Sequence, residues 1–251
     1  MENINRSSFD TRIEDHVAII TIKEGVFHLV TDINESNALI DYIKETEGNP
    51  KIKALLIINE AGNFGADRYD EFITRIMGPQ AECGENSPPK FEHKDIRFRE
   101  INILNKIIKV LSEYRKLCFT GINGDIVTPF FGAALSMDIR YASEGARFIM
   151  AHNRYGLHPS GALPFFLSQY VHHSRALEIQ FRGEFSAEEA LQLGLVNKIF
   201  PAENFQRRCL HEIQHFIKCE NSTISVTKRL TNYTRKALSD YFLYEASLLN
   251  L

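Results

Sequence analysis

Residues 152–158 carry the side chains of this chain that are best suited to moving a proton. His152 and His158 are imidazoles, which titrate near neutrality, and Tyr155 lies between them. Residues this close in sequence can line one cavity, so the segment could supply a single acid or base. The alternative is structural, because each side chain could instead be an ordinary loop residue that hydrogen-bonds nearby backbone.

Metal chemistry has little support in the residues that usually bind metals. The cysteines are widely spaced and form no C-x-x-C pair: Cys83, Cys118, Cys209 and Cys219. This spacing indicates neither a structural zinc site nor a disulfide framework. The adjacent pair His172 and His173 would point in different directions on a helix. We therefore predict no metal ligands, and reduced thiols of the kind found in cytoplasmic proteins.

Composition narrows the class of protein. The chain has 251 residues with 44% hydrophobic content and a net charge of −3. A core of substantial size can form, and the basic field that nucleic-acid binding normally requires is missing. The N-terminal residues are polar, and no stretch reaches the ~18 apolar residues of a membrane span. We expect a cytoplasmic protein that contacts neither nucleic acid nor membrane.

Hydrophobic periodicity predicts alternating strands and helices. The segments are a strand pair in 8–23, a helix in 35–47, a strand in 52–59, a loop in 73–95, a long helix in 96–116 and a strand in 117–122. This order favours an α/β architecture. After residue 200 the pattern is mainly helical, so we expect a core domain at 1–200 and a C-terminal helical region at 201–251.

Three blocks of sequence occur in an order and spacing that resemble the crotonase (enoyl-CoA hydratase/isomerase) superfamily. They are Phe64 to Asp67, Asn123 to Asp138, and the stretch from Tyr155 to the segment FSAEEALQLGLVNKIFP. The first block is two residues shorter than the family motif. The resemblance implies repeated ββα units that form a spiral, with a C-terminal helical region that assembles a homotrimer or homohexamer.

The resemblance also implies where a substrate would bind. Relatives hold the carbonyl of an acyl thioester between two backbone N–H groups, which stabilise the developing oxyanion. By position these would be the N–H of Ala66, after Gly65, and that of Pro129. Proline has no N–H, so Thr128 or Phe130 would have to supply the second donor. Proline is also favoured at the start of a helix, which is the structural explanation.

Two glutamates that hydratases need are replaced in this chain. Gly132 stands nine residues after Asn123, where the first belongs, and His152 stands fourteen residues after Asp138, where the second belongs. Water addition needs both carboxylates, so ordinary hydration is disfavoured. The predicted catalytic groups are therefore Ala66, through its N–H, and His152.

The remaining predictions concern the substrate. Gly65, Thr128, Pro129, Phe130, Gly132, Tyr155 and His158 are predicted to line its site. By resemblance it is an acyl thioester of coenzyme A or of an acyl carrier protein, since the segment YGLHPSGALPFF also resembles polyketide-tailoring crotonases. Coenzyme A would then be part of the substrate, with no tightly bound cofactor. Lys23 and Lys228 are predicted to meet its phosphates.

Three functions remain open from the sequence. The first is a thioester enzyme that performs isomerisation, decarboxylation or C–C hydrolysis. The second is a catalytically silent scaffold or binding subunit, favoured by Pro129, Gly132 and the bulky pair Phe130-Phe131. The third is a hydrolase that acts on a diketone without coenzyme A.

Overall fold

The computed structural model describes residues 3–78 and 90–248. The strands are β1 (Phe9–Glu14), β2 (Val17–Ile22), β3 (Ala54–Asn59), β4 (Leu117–Ile122), β5 (Ile126–Val127), β6 (Ile139–Ser143), β7 (Arg147–Ile149), β8 (Glu184–Ser186) and β9 (Lys198–Phe200). The α-helices are α1 (Val26–Leu29), α2 (Ile33–Gly48), α3 (Ala66–Met77), α4 (Lys94–Glu113), α5 (Phe130–Ser136), α6 (Leu163–Tyr170), α7 (His173–Phe181), α8 (Ala187–Gln192), α9 (Phe205–Phe216), α10 (Asn221–Thr231) and α11 (Leu238–Leu248). Two 3-10 segments cover Ala151–Tyr155 and Asn232–Ala237.

The strands form two sheets. The larger has the order β1-β2-β3-β4-β6-β9, and the smaller has the order β5-β7-β8. The β1–β2 hairpin is antiparallel and turns at Asp15 and His16, which both adopt positive φ. From β2 to β9 the neighbouring strands of the larger sheet are parallel. Each parallel pair needs a crossover connection, and each of these connections contains at least one helix.

The larger sheet is buried on both faces, which explains the continuous apolar sequence of β3. Alternate side chains go to opposite faces, so Leu55 and Ile57 join the main core under the helices. Leu56 and Ile58 join a second cluster that is covered by α9. This second cluster shows that the first helix after residue 201 packs directly on the sheet.

The α/β fold and the C-terminal helical region agree with the sequence prediction. The predicted loop at 73–95 is too long, because α3 continues to Met77 and α4 already begins at Lys94. Residues 79–89, the rest of that predicted loop, lie outside the described residues. Within 3–78 and 90–248, no helix is both long enough and apolar enough to cross a membrane.

Candidate active site

The loops that follow β3 and β4 meet at one edge of the larger sheet. These strands are parallel neighbours, so their carboxyl ends lie side by side. The amide side chain of Asn59 joins the loops, donating to the carbonyl of Asn123 and accepting from its N–H at 2.9 Å each. The N–H of Val127 donates to the carbonyl of Phe64 at 2.8 Å. The two segments predicted to bind a thioester are thus held together.

Two backbone N–H groups at this edge are candidates for an oxyanion hole. Ala66 is the first residue of α3 and Phe130 the first of α5, positions at which an N–H lacks an intrahelical partner. Neither N–H has an acceptor among the described residues. The N–H of Thr128 donates to Ile149 at 3.2 Å, and Pro129 directly precedes α5 as its N-cap. Phe130 is therefore the better substitute for the missing donor.

Aromatic rings pack around Phe130 at the start of α5. The ring of Phe64 stacks on that of Phe130 with centroids 4.9 Å apart, and Phe27 lies 5.1 Å from Phe130 on another side. The neighbouring cavity has a volume of about 60 Å³, and its walls are apolar except for Thr120. Sites for small molecules usually have ~300–1,000 Å³. A thioester can therefore enter this space only if the rings move.

His152 is buried beside this edge, with 2% of its surface exposed. Its Nδ1 lies 3.1 Å from the hydroxyl oxygen of Thr128, and that hydroxyl donates to the sulfur of Met150 at 3.8 Å. The direction of the bond between Nδ1 and the Thr128 hydroxyl follows the tautomer of the ring: Nε2 carries the lone pair when Nδ1 carries the proton and donates to Thr128. The pKa of His152 is lowered to about 4, mainly by burial and to a smaller extent by the nearby positive charges of His158 and Arg97. His152 is therefore a neutral base at physiological pH.

Gly132 stands where the first glutamate would be, and it has no room for a side chain. A Cβ atom at this position would overlap the carbonyl oxygen of Gly161 and come within 2.9 Å of the Leu163 nitrogen. Gly161 itself has a φ of +72° and packs against Pro129. The loop before α6 thus fills the space that a second carboxylate would need.

Tyr155 and His158 lie at the edge of the same region. The Tyr155 hydroxyl donates to Asp70 at 2.9 Å, and its ring meets the edge of the buried Tyr69. The hydrogen bond attaches the segment after β7 to helix α3. The side chain of His158 is exposed.

A buried ion pair on α4 was missed by the sequence prediction. Nη1 of Arg97 lies 2.6 Å from Oε2 of Glu100, and both residues are almost fully buried. Burial raises the pKa of Glu100, opposed by Arg97. Its Oε1 has no hydrogen-bond partner within the described part of the chain. The helical period could have revealed this pair, because Arg97 and Glu100 continue the buried face of α4 that contains Leu104 and Leu111. Phe98 lies off that face and is exposed.

A second buried carboxylate comes from the C-terminal helix. Glu245 on α11 accepts from the Tyr241 hydroxyl at 3.1 Å and from the Asn105 amide at 3.5 Å. Burial raises the pKa of Glu245 to about 7, against those hydrogen bonds and the charge of Arg97. Sequence separation hid this contact, because α4 and α11 are more than a hundred residues apart.

The two lysines predicted to meet the coenzyme A phosphates are both engaged by protein groups. Lys228 is buried, and its Nζ lies 2.6 Å from Oδ2 of Asp138 and 2.9 Å from the carbonyl of Lys116. The charge of Lys228 is therefore matched inside the protein, and contact with a coenzyme A phosphate would require it to leave these partners. Lys23 donates to Asn5 at 2.7 Å but stays partly exposed, so its phosphate role remains a prediction.

Helix α9 carries a sequence pattern typical of metal sites, which the prediction of no metal ligands did not take into account. His211, Glu212 and His215 form H-E-x-x-H, the spacing of helical zinc sites in hydrolases. The two exposed imidazoles lie 5.6 Å apart, and Glu212 pairs with Lys198. Within residues 3–78 and 90–248, no three side chains of the metal-binding types are placed to hold an ion. Among these residues, the H-E-x-x-H motif of α9 therefore has no third ligand.

Comparisons with known proteins identify the family of this chain. The family model described as enoyl-CoA hydratase/isomerase matches residues 100–250. The short-chain-enoyl-CoA hydratase of Clostridium acetobutylicum is 34% identical over 187 residues, which are 72% of this chain and 68% of that protein. The trans-2-decenoyl-[acyl-carrier-protein] isomerase of Streptococcus mutans is 29% identical over 110 residues, or 43% of this chain and 42% of that one.

Solved structures agree at the level of the fold. The enoyl-CoA hydratase from Bacillus halodurans superposes with a TM-score of 0.79 at 19% identity, covering 97% of this chain and 94% of that chain. The chain spans only 46% of the length of a probable peroxisomal enoyl-CoA hydratase of Arabidopsis thaliana that it matches in sequence. The family model and the similarity to the Clostridium protein show that the chain belongs to the enoyl-CoA hydratase/isomerase (crotonase) family.

Proposed function

We propose that this protein is an enzyme that acts on an acyl thioester by proton transfer through one base, His152, and that its reaction is the shift of a carbon–carbon double bond. One observation carries the proposal. A buried imidazole that is neutral at physiological pH has its Nδ1 3.1 Å from the hydroxyl of Thr128, and Thr128 comes two residues before Phe130, whose N–H has no acceptor among the described residues. The same arrangement has no room for a carboxylate at Gly132.

Each step of the proposed reaction uses groups of this chain. The N–H groups of Ala66 and Phe130 donate to the thioester oxygen. Nε2 of His152 removes a proton from a carbon next to the double bond, and the electron pair of the C–H bond moves into a dienolate ending at that oxygen. The imidazolium then returns the proton two carbons away, so the proton moves between Cα and Cγ and the double bond shifts by one position. One base suffices, because the proton that leaves is the proton that returns.

Hydration would require a second group to activate water, and the space beside Gly132 is filled by backbone. Decarboxylation and C–C hydrolysis of a thioester would use the same oxyanion hole and differ in their products. The Streptococcus relative, which is named as an isomerase of a carrier-protein thioester, supports placing isomerisation first and including carrier-bound substrates.

Assembly and location form part of the proposal. Large apolar side chains are exposed along α10, α11 and the segment between them: Val226, Leu230, Tyr233, Leu243, Tyr244 and Leu248. Their exposure supports a homotrimer or homohexamer built through these helices, since patches of this kind mark association surfaces. The buried thiols of Cys118 and Cys209 are unpaired, which supports the cytoplasm as the compartment.

The test is turnover of 2-enoyl and 3-enoyl thioesters, on coenzyme A and on a carrier protein, by the wild type and two variants. His152→Ala removes the base and should abolish the interconversion. Thr128→Val keeps the imidazole but removes its hydrogen bond, so it should lower kcat while retaining activity. Unchanged turnover in His152→Ala would remove His152 from the mechanism, and water addition by the wild type would refute the one-base proposal.

A second candidate function is a silent scaffold, and the stacked rings of Phe64 and Phe130 favour it. In that case the rings keep the thioester space closed. Calorimetric titration with coenzyme A and several acyl-CoAs separates the candidates. Binding by Phe130→Ala together with no binding by the wild type would support the scaffold, whereas binding and turnover by the wild type would exclude it.

A further inference from the structure

Arg97 and Glu100, the buried ion pair of α4, lie close to the candidate active site, although the proposed reaction does not use them. Leu104, one helical turn beyond Glu100, lines the apolar cavity that Phe130 also lines. Four residues of helix correspond to a rise of about 6 Å. Burial is the main cause of the low pKa of His152, and the charge of Arg97 is near enough to lower it further. The ion pair therefore lies near both the predicted base and the start of α5.

A row of aromatic rings connects this ion pair with Phe130. The ring of Phe27 lies 5.1 Å from that of Phe130, and the ring of Tyr69 lies 6.2 Å from that of Phe27. Burial raises the pKa of the Tyr69 hydroxyl, and the nearby charges of Arg97 and Glu100 act on it in opposite directions. An acyl group that follows these rings away from the thioester carbonyl would therefore approach the ion pair.

The ion pair contains a hydrogen-bond acceptor that has no donor. Oε2 of Glu100 accepts from Arg97 at 2.6 Å, whereas Oε1 has no partner among residues 3–78 and 90–248. Glu100 is fully buried, and a buried polar atom without a hydrogen bond is costly, most of all on a charged group. The amide oxygen of Asn105, further along α4, is also buried and has no partner in that part of the chain. Both unmet atoms are acceptors, so a group that satisfies either of them must be a donor.

The charges around the ion pair favour a neutral donor. Burial raises the pKa of Glu245 to about 7, and the charge of Arg97 is among the influences that lower it. Below pH 7 the Glu245 carboxyl is thus mainly neutral, and Arg97 and Glu100 balance each other. A carboxylate on a ligand would add an unbalanced charge to this buried region, which is unfavourable. A hydroxyl group donates one hydrogen bond and adds no charge.

We propose that the acyl group of the substrate carries a hydroxyl beyond the reacting carbons, and that Arg97 and Glu100 select it. The hydroxyl would donate to Oε1 of Glu100. This inference rests on the proposed function in placing the thioester carbonyl at the N–H groups of Ala66 and Phe130. A plain hydrocarbon chain in the same place would leave the carboxylate oxygen unpaired, and a site built to bind a hydroxyl rejects analogues that lack it.

The test is calorimetric titration of the wild type with saturated acyl-CoA thioesters of equal chain length. The chains are unsubstituted, hydroxylated at successive carbons, or terminated by a carboxylate. Saturated chains have no double bond to shift, so their binding is measured independently of turnover. We expect the best hydroxyacyl thioester to bind at least about tenfold more tightly than the unsubstituted one. The carboxylate-terminated thioester should bind most weakly.

A double variant tests whether the ion pair causes this preference. Arg97→Met/Glu100→Leu replaces the pair by apolar side chains of similar size, a change that buried ion pairs often tolerate. It should bind the hydroxylated and unsubstituted thioesters within about twofold of each other. The matched control is Arg175→Met/Glu178→Leu on α7, where the two residues have the same spacing and the same 2.6 Å contact but are exposed. The control should keep the preference of the wild type.

Three results would overturn the proposal. The first is that the wild type binds no hydroxyacyl thioester more tightly than the unsubstituted one, which would mean that water satisfies Glu100 and the substrate does not. The second is tighter binding of the carboxylate-terminated thioester. The third is a preference that persists in the Arg97→Met/Glu100→Leu variant. Failure of the proposed function gives a different result: the wild type would prefer the hydroxyacyl thioester but would not interconvert 2-enoyl and 3-enoyl thioesters.

Discussion

Replacing His152 by asparagine should change how the stability of this protein depends on pH, and replacing Glu245 by glutamine should change it in the opposite direction. Both side chains are buried, and burial favours the neutral form of each. For a histidine the neutral form is the deprotonated one, whereas for a glutamate it is the protonated one. The two residues therefore contribute pH dependences of opposite sign.

The direction follows from comparing the folded and unfolded chains. The pKa of His152 falls from 6.5 to about 4 on folding, so its contribution to stability is present above pH 6.5 and is lost as the pH falls towards 4. The pKa of Glu245 rises from 4.5 to about 7 on folding, so its contribution is present below pH 4.5 and is lost as the pH rises through 7. Between pH 4.5 and 7, each changes the free energy of unfolding by about 2.5 kcal/mol.

In the wild type the two contributions nearly cancel over this range. His152→Asn leaves Glu245 unopposed, so its free energy of unfolding, relative to wild type, should fall by about 2.5 kcal/mol from pH 4.5 to 7. Glu245→Gln leaves His152 unopposed, so its relative stability should rise by about the same amount. Asparagine can keep the hydrogen bond to Thr128, and any pH-independent loss cancels when the two pH values are compared.

Urea denaturation of the three proteins at several pH values measures these differences. The comparison with wild type removes the contributions of all other titrating groups, and each variant serves as the control of the other. If both variants kept the wild-type dependence, neither group would have the pKa shift that burial implies. If both changed in the same direction, the assignment of one of the two neutral forms would be wrong.

Three further results are expected. Gly132→Ala should lower the free energy of unfolding by about 1–3 kcal/mol, because the added methyl group overlaps the Gly161 carbonyl. The control Gly183→Ala places its methyl group in open space and should be nearly neutral in the same urea assay. Equal effects of the two variants would show that the loop at Gly161 moves to accept the methyl group. Lys228→Gln should lower the free energy of unfolding by about 3–5 kcal/mol, because it leaves Asp138, whose side chain is 13% exposed, without its cation, and the double variant with Asp138→Asn should recover most of this loss; a surface role for Lys228 would instead give less than about 1 kcal/mol. If His152 is the base, kcat/KM should stay flat from pH 8 to about 5 and fall only towards pH 4, since that is where the imidazole becomes protonated; a fall near pH 6.5 would indicate an exposed histidine.

Much of the fold could be predicted because its signals are local. The alternating pattern of β1 and β2 and the apolar run of β3 depend only on neighbouring residues, and they correspond to strands close to the predicted bounds. The helix periodicity of α4 was also detected, although the buried stripe continues through Arg97 and Glu100 and leaves Phe98 outside. A hydrophobicity scale assigns charged residues to the surface, so it cannot identify two charged residues that are buried as an ion pair.

The sequence by itself determined the fold class, the family resemblance, and the identities of the residues at the two glutamate positions, because motif order and side-chain type are properties of the chain alone. Only the tertiary structure decided what these replacements mean. Burial makes His152 a neutral base, the Gly161 carbonyl closes the space beside Gly132, and Asp138 takes up the charge of Lys228. Each of these outcomes depends on contacts between distant segments, and such contacts set the solvation and the free volume that decide what a side chain can do.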